Sequence, residues 1–245
     1  MPDPAPPDPL VARLRAVGCV FAEEEAAEIR RVVGQDEQRA EPIVTARAAG
    51  IPLEHALGVA LFAGVEVEVG PGVFVPRTRA EILVDAAVAA RPDAHVIVDL
   101  GTGSGSIAAA VKTRLPRADV YGVDLDPMAL TYAIRNAARH DFHVHEGDWW
   151  DALPHELRGR VDLAVAYLPH VPTARLADIP GDYRAQEPNL SIAGGPDGLD
   201  PLREVLADLD AWLAPDGVLV TLVAEEQLGT ATNVCDGKRV TLVVG

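Results

Sequence analysis

The chain has 245 residues, 49% of them hydrophobic but only 4% aromatic, and a formal net charge of −16. That length holds one full-sized domain with a small appendage, and so acidic a chain lacks the Lys/Arg surplus that binds phosphate backbones, which sets aside a nucleic-acid partner. No apolar run approaches the ~18 residues of a membrane span, no secretory leader follows Met1, and Cys19 and Cys235 have no metal or redox spacing; a cytoplasmic protein without membrane or metal is expected.

The proline-rich start, residues 1–9, reads as a disordered tail. Over 10–33, Leu10, Leu14, Val17 and Phe21 recur at helical intervals, and Gly18 divides the stretch into two helices. A shorter helix over 42–49 ends at Gly50, as a C-cap does. Residues 1–50 therefore read as a helical cap. Residues 51–92 read as a linker, in which Val65-Glu-Val-Glu-Val69, the turn Gly70-Pro-Gly72 and Val73-Phe-Val75 predict a β-hairpin.

From 93 to 245 strands alternate with helices, the pattern of a parallel sheet built from βαβ units. Strands are predicted at 96–100, 120–123, 142–144, 161–166 and 218–223. Asp126-Pro127 and Asp200-Pro201 open helices in the manner of an acidic N-cap followed by proline. The end, 230–234 and 239–244 around Asp236-Gly237, predicts a closing antiparallel hairpin. The expected fold is α/β and Rossmann-like, with a seven-stranded, mostly parallel sheet, a small N-terminal helical domain and a hairpin linker.

The chemistry gathers where the first parallel strand ends, in Val96-Ile-Val-Asp99-Leu-Gly101-Thr102-Gly103-Ser-Gly105. A glycine-rich turn lets backbone approach a ligand, and an acid at the tip of the next strand, Asp124, can accept both ribose hydroxyls. The spacing Asp-x-Gly-x-Gly-x-Gly points to S-adenosylmethionine rather than a dinucleotide. Asp99 would orient the amino-acid tail, with Gly101, Thr102, Gly103 and Gly105 beneath it and Leu125 beside the ribose acid. Asp148 would accept from the adenine amine and Trp149 would cover the ring. S-adenosylhomocysteine is then the product, and the sheet is that of a class I methyltransferase.

Further segments carry a family resemblance. Pro52-Leu-Glu-His55-Ala-Leu-Gly58, Val75-Pro76-Arg77-Thr-Arg-Ala-Glu81, Glu187-Pro188-Asn-Leu190 and Gly194-Gly195-Pro-Asp197-Gly198-Leu199 resemble motifs of the HemK/PrmC-type protein-glutamine methyltransferases. The resemblance runs from about residue 52 to 223. It implies a class I fold, the same methyl donor and an acceptor amide on a release factor. That family places Asn-Pro-Pro-Tyr after the fourth strand, where the Asn side chain and a proline carbonyl hold the nitrogen to be methylated. Here the four residues are Tyr167-Leu168-Pro169-His170, and Thr78, Arg79 and Ala80 replace the Pro, acid and Thr of the Pro-Arg element.

A phenol and an imidazole in place of a carboxamide suggest a different nucleophile, with Tyr167 and His170 as catalytic residues that orient and deprotonate it. Tyr167 would also border the donor. Arg77, Leu168, Pro169, Tyr183 and Glu187 would contact the substrate. The expectation is therefore a small aromatic acceptor, such as an indolamine methylated at carbon 3, a pattern similar to indole methyltransferases of physostigmine-type alkaloid biosynthesis. Two alternatives stand beside it: a release factor glutamine methyltransferase, and a protein that binds the donor without catalysis. His140, His143 and His145 read as a strand edge, and Trp150 and Trp212 as core.

Overall fold

The computed structural model describes residues 8–178 and 189–245, and the chain divides into two compact units, 1–59 and 60–245. The first is helical: α1 (Pro9–Ala16), α2 (Ala22–Val33), α3 (Glu37–Ala48) and α4 (Leu53–Leu57). Leu10, Leu14, Ile29, Ile43 and Val44 form its core. Asp8 caps α1, Asp36 caps α3 five residues ahead of the expected start, and Gly58 at φ +76° ends α4. Arg30 is clamped between Asp8 and Glu37, and Arg47 on Glu25.

The second unit begins with a hairpin, β1 (Val59–Phe62) and β2 (Val65–Glu68). Its turn is Ala63-Gly64, both at positive φ, the conformation that matches the twist of the flanking strands. The expected hairpin lay one strand later. The alternation at 65–69 is correct, but its partner precedes it, and Gly70-Pro-Gly72 is a connection into α5 (Glu81–Ala90).

Six strands then form one sheet: β3 (Val96–Leu100), β4 (Asp119–Asp124), β5 (His143–Glu146), β6 (Val161–Ala166), β7 (Leu213–Val223) and β8 (Val240–Val244), in the order β5-β4-β3-β6-β7-β8. Every pairing is parallel. This corrects the expected seven-stranded sheet with an antiparallel end. Residues Leu228–Val234 form a helix instead of a strand, and the Asp236-Gly237 turn feeds the chain into β8 alongside β7. Thr and Val at 230–234 are residue types common in strands, but a crossover helix is what a parallel neighbour requires, and that overrides residue preference.

Helices α6 (Ser106–Arg114) and α7 (Pro127–His140) lie with α5 over one apolar face, where Ile97, Leu163, Val165 and Val220 pack. Helix α8 (Asp200–Trp212) covers the other, over Val98, Leu100, Ala164, Ala166 and Leu219. The alternation along β6 separates the two cores, as a pleated strand buried on both faces demands. Trp150 and Trp212 stack inside the second core, ring centres 5.9 Å apart. β5 is an edge strand whose His143 and His145 stack on Tyr121, and no metal-holding cluster occurs among the described residues. No helix of the described residues is long and apolar enough to cross a membrane.

Candidate active site

From β3 the chain steps outward to β4 and β5, then returns to place β6 on the other side of β3. The carboxyl ends of β3 and β6 thus diverge, and that crevice is where open parallel sheets bind ligands. A cavity of about 610 Å3 opens there, within the usual range for a cofactor-sized ligand. Residues Gly101 to Ser104 of the turn after β3, Asp124 and Leu125 after β4, Asp148 and Trp149 after β5, and Tyr167 to His170 after β6 all border it, whereas Gly105 does not. The structure therefore brings most of the predicted donor residues, though not Asp99 or Gly105, to one place with Tyr167 to His170, and with Arg77 and Arg79 from the connection before α5. Tyr183 and Glu187 lie outside the described residues.

The turn is held from several sides. Gly101 and Thr102 donate to the Val123 carbonyl, at 2.9 and 2.8 Å, and Gly103 N–H donates to Asp124 at 2.7 Å. Gly105, at φ +82°, leaves no room for a Cβ, which would sit 2.6 Å from the Phe142 ring. Asn136, fully buried on α7, donates to the carbonyls of Ser104 and Glu68, at 2.8 and 2.9 Å, and accepts from Glu68 N–H. It ties the turn to the hairpin. Sequence reasoning missed Asn136, although a polar residue on the apolar face of the 126–139 helix was a readable signal.

Asp99 does not border the cavity. It is buried under the turn, where one oxygen accepts from Thr102 Oγ1 at 2.6 Å and from Ala108 N–H at 3.1 Å. Its other oxygen, Oδ1, has no hydrogen-bond partner, and neither does the buried Ser104 Oγ. Burial pushes the Asp99 carboxyl up to about 7, against the pull of those two bonds. Burial also raises Asp124, whose two oxygens accept from Gly103 and Asp126 N–H and keep lone pairs for a diol. An orphaned acid beneath a glycine turn, with a second acid at the neighbouring strand tip, fits S-adenosylmethionine: a cation for Asp99 and ribose hydroxyls for Asp124.

That fit has a pH signature. A nearby cationic ammonium favours the ionised carboxyl and lowers its pKa. S-adenosylhomocysteine binding near pH 7 is then expected to release a proton, seen as a binding enthalpy that varies with the ionisation heat of the buffer. The release should fade above pH 8.5, where Asp99 is already ionised, and vanish in Asp99→Asn. Buffer-independent enthalpy at pH 7 overturns the assignment.

Beyond the end of β5 the burial of Asp148, with Glu204 and Asp151 nearby, raises its carboxyl. Trp149 takes a positive φ of 39°, rare for a bulky residue. Its indole lies over Gly101, and its Nε1–H donates to Glu204 on α8 at 2.9 Å. Glu204 was not foreseen; it lies one turn into α8, whose N-cap is Leu199 with no side-chain cap rather than the expected Asp200, and that place marks only a helix, not a ligand.

On the acceptor side, Tyr167 packs edge-on against Phe74 and lies 5.5 Å from the His170 ring. Its hydroxyl accepts from Arg79 Nε at 3.1 Å. The Arg77 guanidinium lies 4.8 Å over the Phe74 ring. His170 Nδ1 lies 2.9 Å from the Leu168 carbonyl; a carbonyl only accepts, so Nδ1 carries the proton and neutral Nε2 is left as a base. Burial holds this imidazole below its usual range, assisted by Arg79 and opposed by the Leu168 carbonyl and Glu226. Leu168 borders the cavity but is almost wholly buried in the second core, so it supports the site more than it presents surface.

The backbone of this segment is gripped independently. Thr221 Oγ1 donates to the Ala166 carbonyl at 2.9 Å. Gln227 Nε2 donates to the carbonyls of His170 and Asp197, at 2.8 and 3.0 Å. Gly198, at φ +80°, passes so close that a Cβ would lie 2.3 Å from the His170 carbonyl oxygen.

A family model described as a methyltransferase domain matches residues 97–180. The release factor glutamine methyltransferase of Geobacter sulfurreducens is 37% identical over 202 residues, 79% of this chain and 70% of the relative. That of Mycolicibacterium smegmatis is 42% identical over 180 residues, 72% of this chain and 63% of the relative. That of Streptomyces coelicolor is 38% identical over 191 residues, 76% and 68% respectively. The chain thus spans about two thirds of the length of these relatives. Among solved structures, the ribosomal protein L11 methylase of Lactobacillus delbrueckii subsp. bulgaricus aligns over 69% of this chain and 72% of its own, at 19% identity and a TM-score of 0.48.

These relatives correct the expected function and the expected partner. A small aromatic acceptor, and carbon-3 methylation of an indole with it, gives way: proteins similar over most of the chain are named for a release factor, which is a protein, and for glutamine. Replacement of the carboxamide at position 167 does not by itself carry a change of acceptor class.

Proposed function

Because this chain belongs to the release factor glutamine methyltransferase family, the S-adenosylmethionine-dependent methyltransferases of HemK/PrmC type, we propose that it methylates a side-chain amide nitrogen of a protein, a glutamine of the release-factor kind. The observation that carries the reading is the meeting of the glycine turn and the Tyr167–His170 segment at one cavity between β3 and β6. S-adenosylmethionine, once bound, supplies an electrophilic methyl group.

The chain's own residues supply an amide grip of changed composition. The Tyr167 oxygen accepts from Arg79, so its proton is free to be donated to the amide carbonyl. His170 Nε2 accepts an amide N–H and takes that proton as the nitrogen gains its methyl. The Leu168 carbonyl, already accepting from His170, keeps one lone pair for the second N–H. Together these orient a planar nitrogen that is otherwise a poor nucleophile.

Labelled donor offered with a Gly-Gly-Gln release-factor domain tests the reading. Methyl transfer to the glutamine side chain is expected, lowered about 100-fold in kcat by His170→Gln, in the range of a lost general base. Because burial lowers the His170 pKa, the base form persists below the ordinary value. The acid limb of the kcat profile should therefore lie below about 6.5, and the variant should lack it. Stoichiometric S-adenosylhomocysteine binding with no transfer to the domain overturns the proposal and favours a non-catalytic donor-binding protein.

A further inference from the structure

Two adjacent indoles hold the segment after β5 onto α8. Trp150 Nε1–H donates to the Val205 carbonyl at 2.8 Å, inside the second core. Trp149 Nε1–H donates to the Glu204 carboxylate at 2.9 Å, at the rim of the cavity. Consecutive residues of a short 3-10 turn, Trp149–Ala152, thus dock on consecutive residues of α8. Trp150 is almost wholly buried, and so large an apolar side chain anchors the segment by itself. Glu204 is exposed, so its bond to Trp149 adds no core.

The backbone at Trp149 shows what that bond is for. A φ of 39° is disfavoured for a bulky residue and persists only where the surroundings impose it. Gly147 N–H donates to the Asp124 carbonyl and Asp151 N–H to the Asp148 carbonyl, both at 3.0 Å, which fixes the chain on either side. The strained backbone turns the indole over Gly101, where a Cβ would lie 3.4 Å from the ring. An indole on a fixed backbone still has rotamers to choose from. A bond from its one polar atom to a carboxylate on a packed helix selects among them.

On the reading of this cavity as the donor site with Trp149 against the base, we infer that Glu204 is a positioning residue for S-adenosylmethionine. It holds the Trp149 indole in the rotamer that meets the planar base, so that binding does not have to order the ring. Glu204 acts through Trp149 and lies apart from the methyl transfer itself. Its effect therefore falls on donor affinity and not on the chemical step.

Calorimetry with S-adenosylhomocysteine on the full chain tests this. Glu204→Leu should bind about 10-fold more weakly, the size of one charge-assisted hydrogen bond reduced by exposure. The donor KM for transfer to a release-factor domain should rise by the same factor, with kcat and thermal unfolding unchanged. Glu204→Gln keeps an oxygen for the indole and should restore most of the affinity. In Trp149→Phe, which has a ring but no N–H, Glu204→Leu should add nothing further. S-ribosylhomocysteine, which lacks the base, should bind the wild-type chain and Glu204→Leu equally. Wild-type affinity in Glu204→Leu beside weakened binding in Trp149→Ala overturns the inference. So do additive losses in the double variant, Glu204→Gln as weak as Glu204→Leu, or an equal loss for S-ribosylhomocysteine. Unchanged affinity in Trp149→Ala removes the reading of Trp149 and this inference with it. Glu204-dependent donor binding without methyl transfer leaves the inference standing and removes the proposed reaction.

Discussion

Asp124→Ala is expected to weaken S-adenosylhomocysteine binding by about 100-fold or more, read by calorimetry on the full chain. Each charge-assisted bond from a carboxylate to a ligand hydroxyl contributes about 1.5–3 kcal/mol, and a diol takes two. The substitution also frees Gly103 N–H, which donates to Asp124 at 2.7 Å, and Asp126 N–H at 2.9 Å. Both the ligand contact and the frame of the glycine turn are lost together. Asp124→Asn keeps one carbonyl acceptor and should cost less, about 10-fold, since roughly one such bond survives. An affinity unchanged by Asp124→Ala would remove the ribose role.

The second large effect is on stability. Trp212 is completely buried, stacks on Trp150, and carries the Arg158 guanidinium 4.8 Å over its ring. Trp212→Ala should cost about 3–5 kcal/mol, the usual toll for emptying an aromatic site in a packed core. At roughly 2–4 °C per kcal/mol for a unit of this size, the melting temperature of the 60–245 unit should fall by about 6–20 °C. Trp212→Phe should cost far less. The Trp212 Nε1–H has no hydrogen-bond partner, and phenylalanine removes that unsatisfied donor along with the volume. Comparable melting temperatures for the alanine and wild-type chains would show that this core re-packs.

The parts of the fold legible in the sequence are those set by neighbouring residues. The β3 strand, its glycine turn and α6 occur where expected, and so does the Asp126 cap, whose carboxylate accepts from Met128 N–H at 2.8 Å. The hairpin was displaced because Ala63-Gly64 is an unadvertised turn, while Gly70-Pro-Gly72 advertises one that pairs nothing. The final strand count failed because 228–234 has the residue types of a strand and the role of a crossover.

The site divides in the same way. Its motif residues were visible, but the residues that brace them were not, since those contacts span long separations: Trp149 to Glu204 and Gln227 to His170. The acceptor was misjudged for a related reason. The identities of residues 167–170 say what groups are present, but not which lone pairs and protons remain after Arg79 and the Leu168 carbonyl have taken theirs.

The tethers on the acceptor segment bear on how such a site changes over time. Thr221 and Gln227 hold main-chain carbonyls, and Gly198 crowds a main-chain oxygen, so the path of the chain past β6 is fixed without reference to the side chains it carries. Positions 167 and 170 behave as sockets on a rigid mount. Their occupants can be exchanged while the donor pocket opposite stays in register, which is how a phenol and an imidazole come to stand on a scaffold otherwise shared with proteins that methylate glutamine.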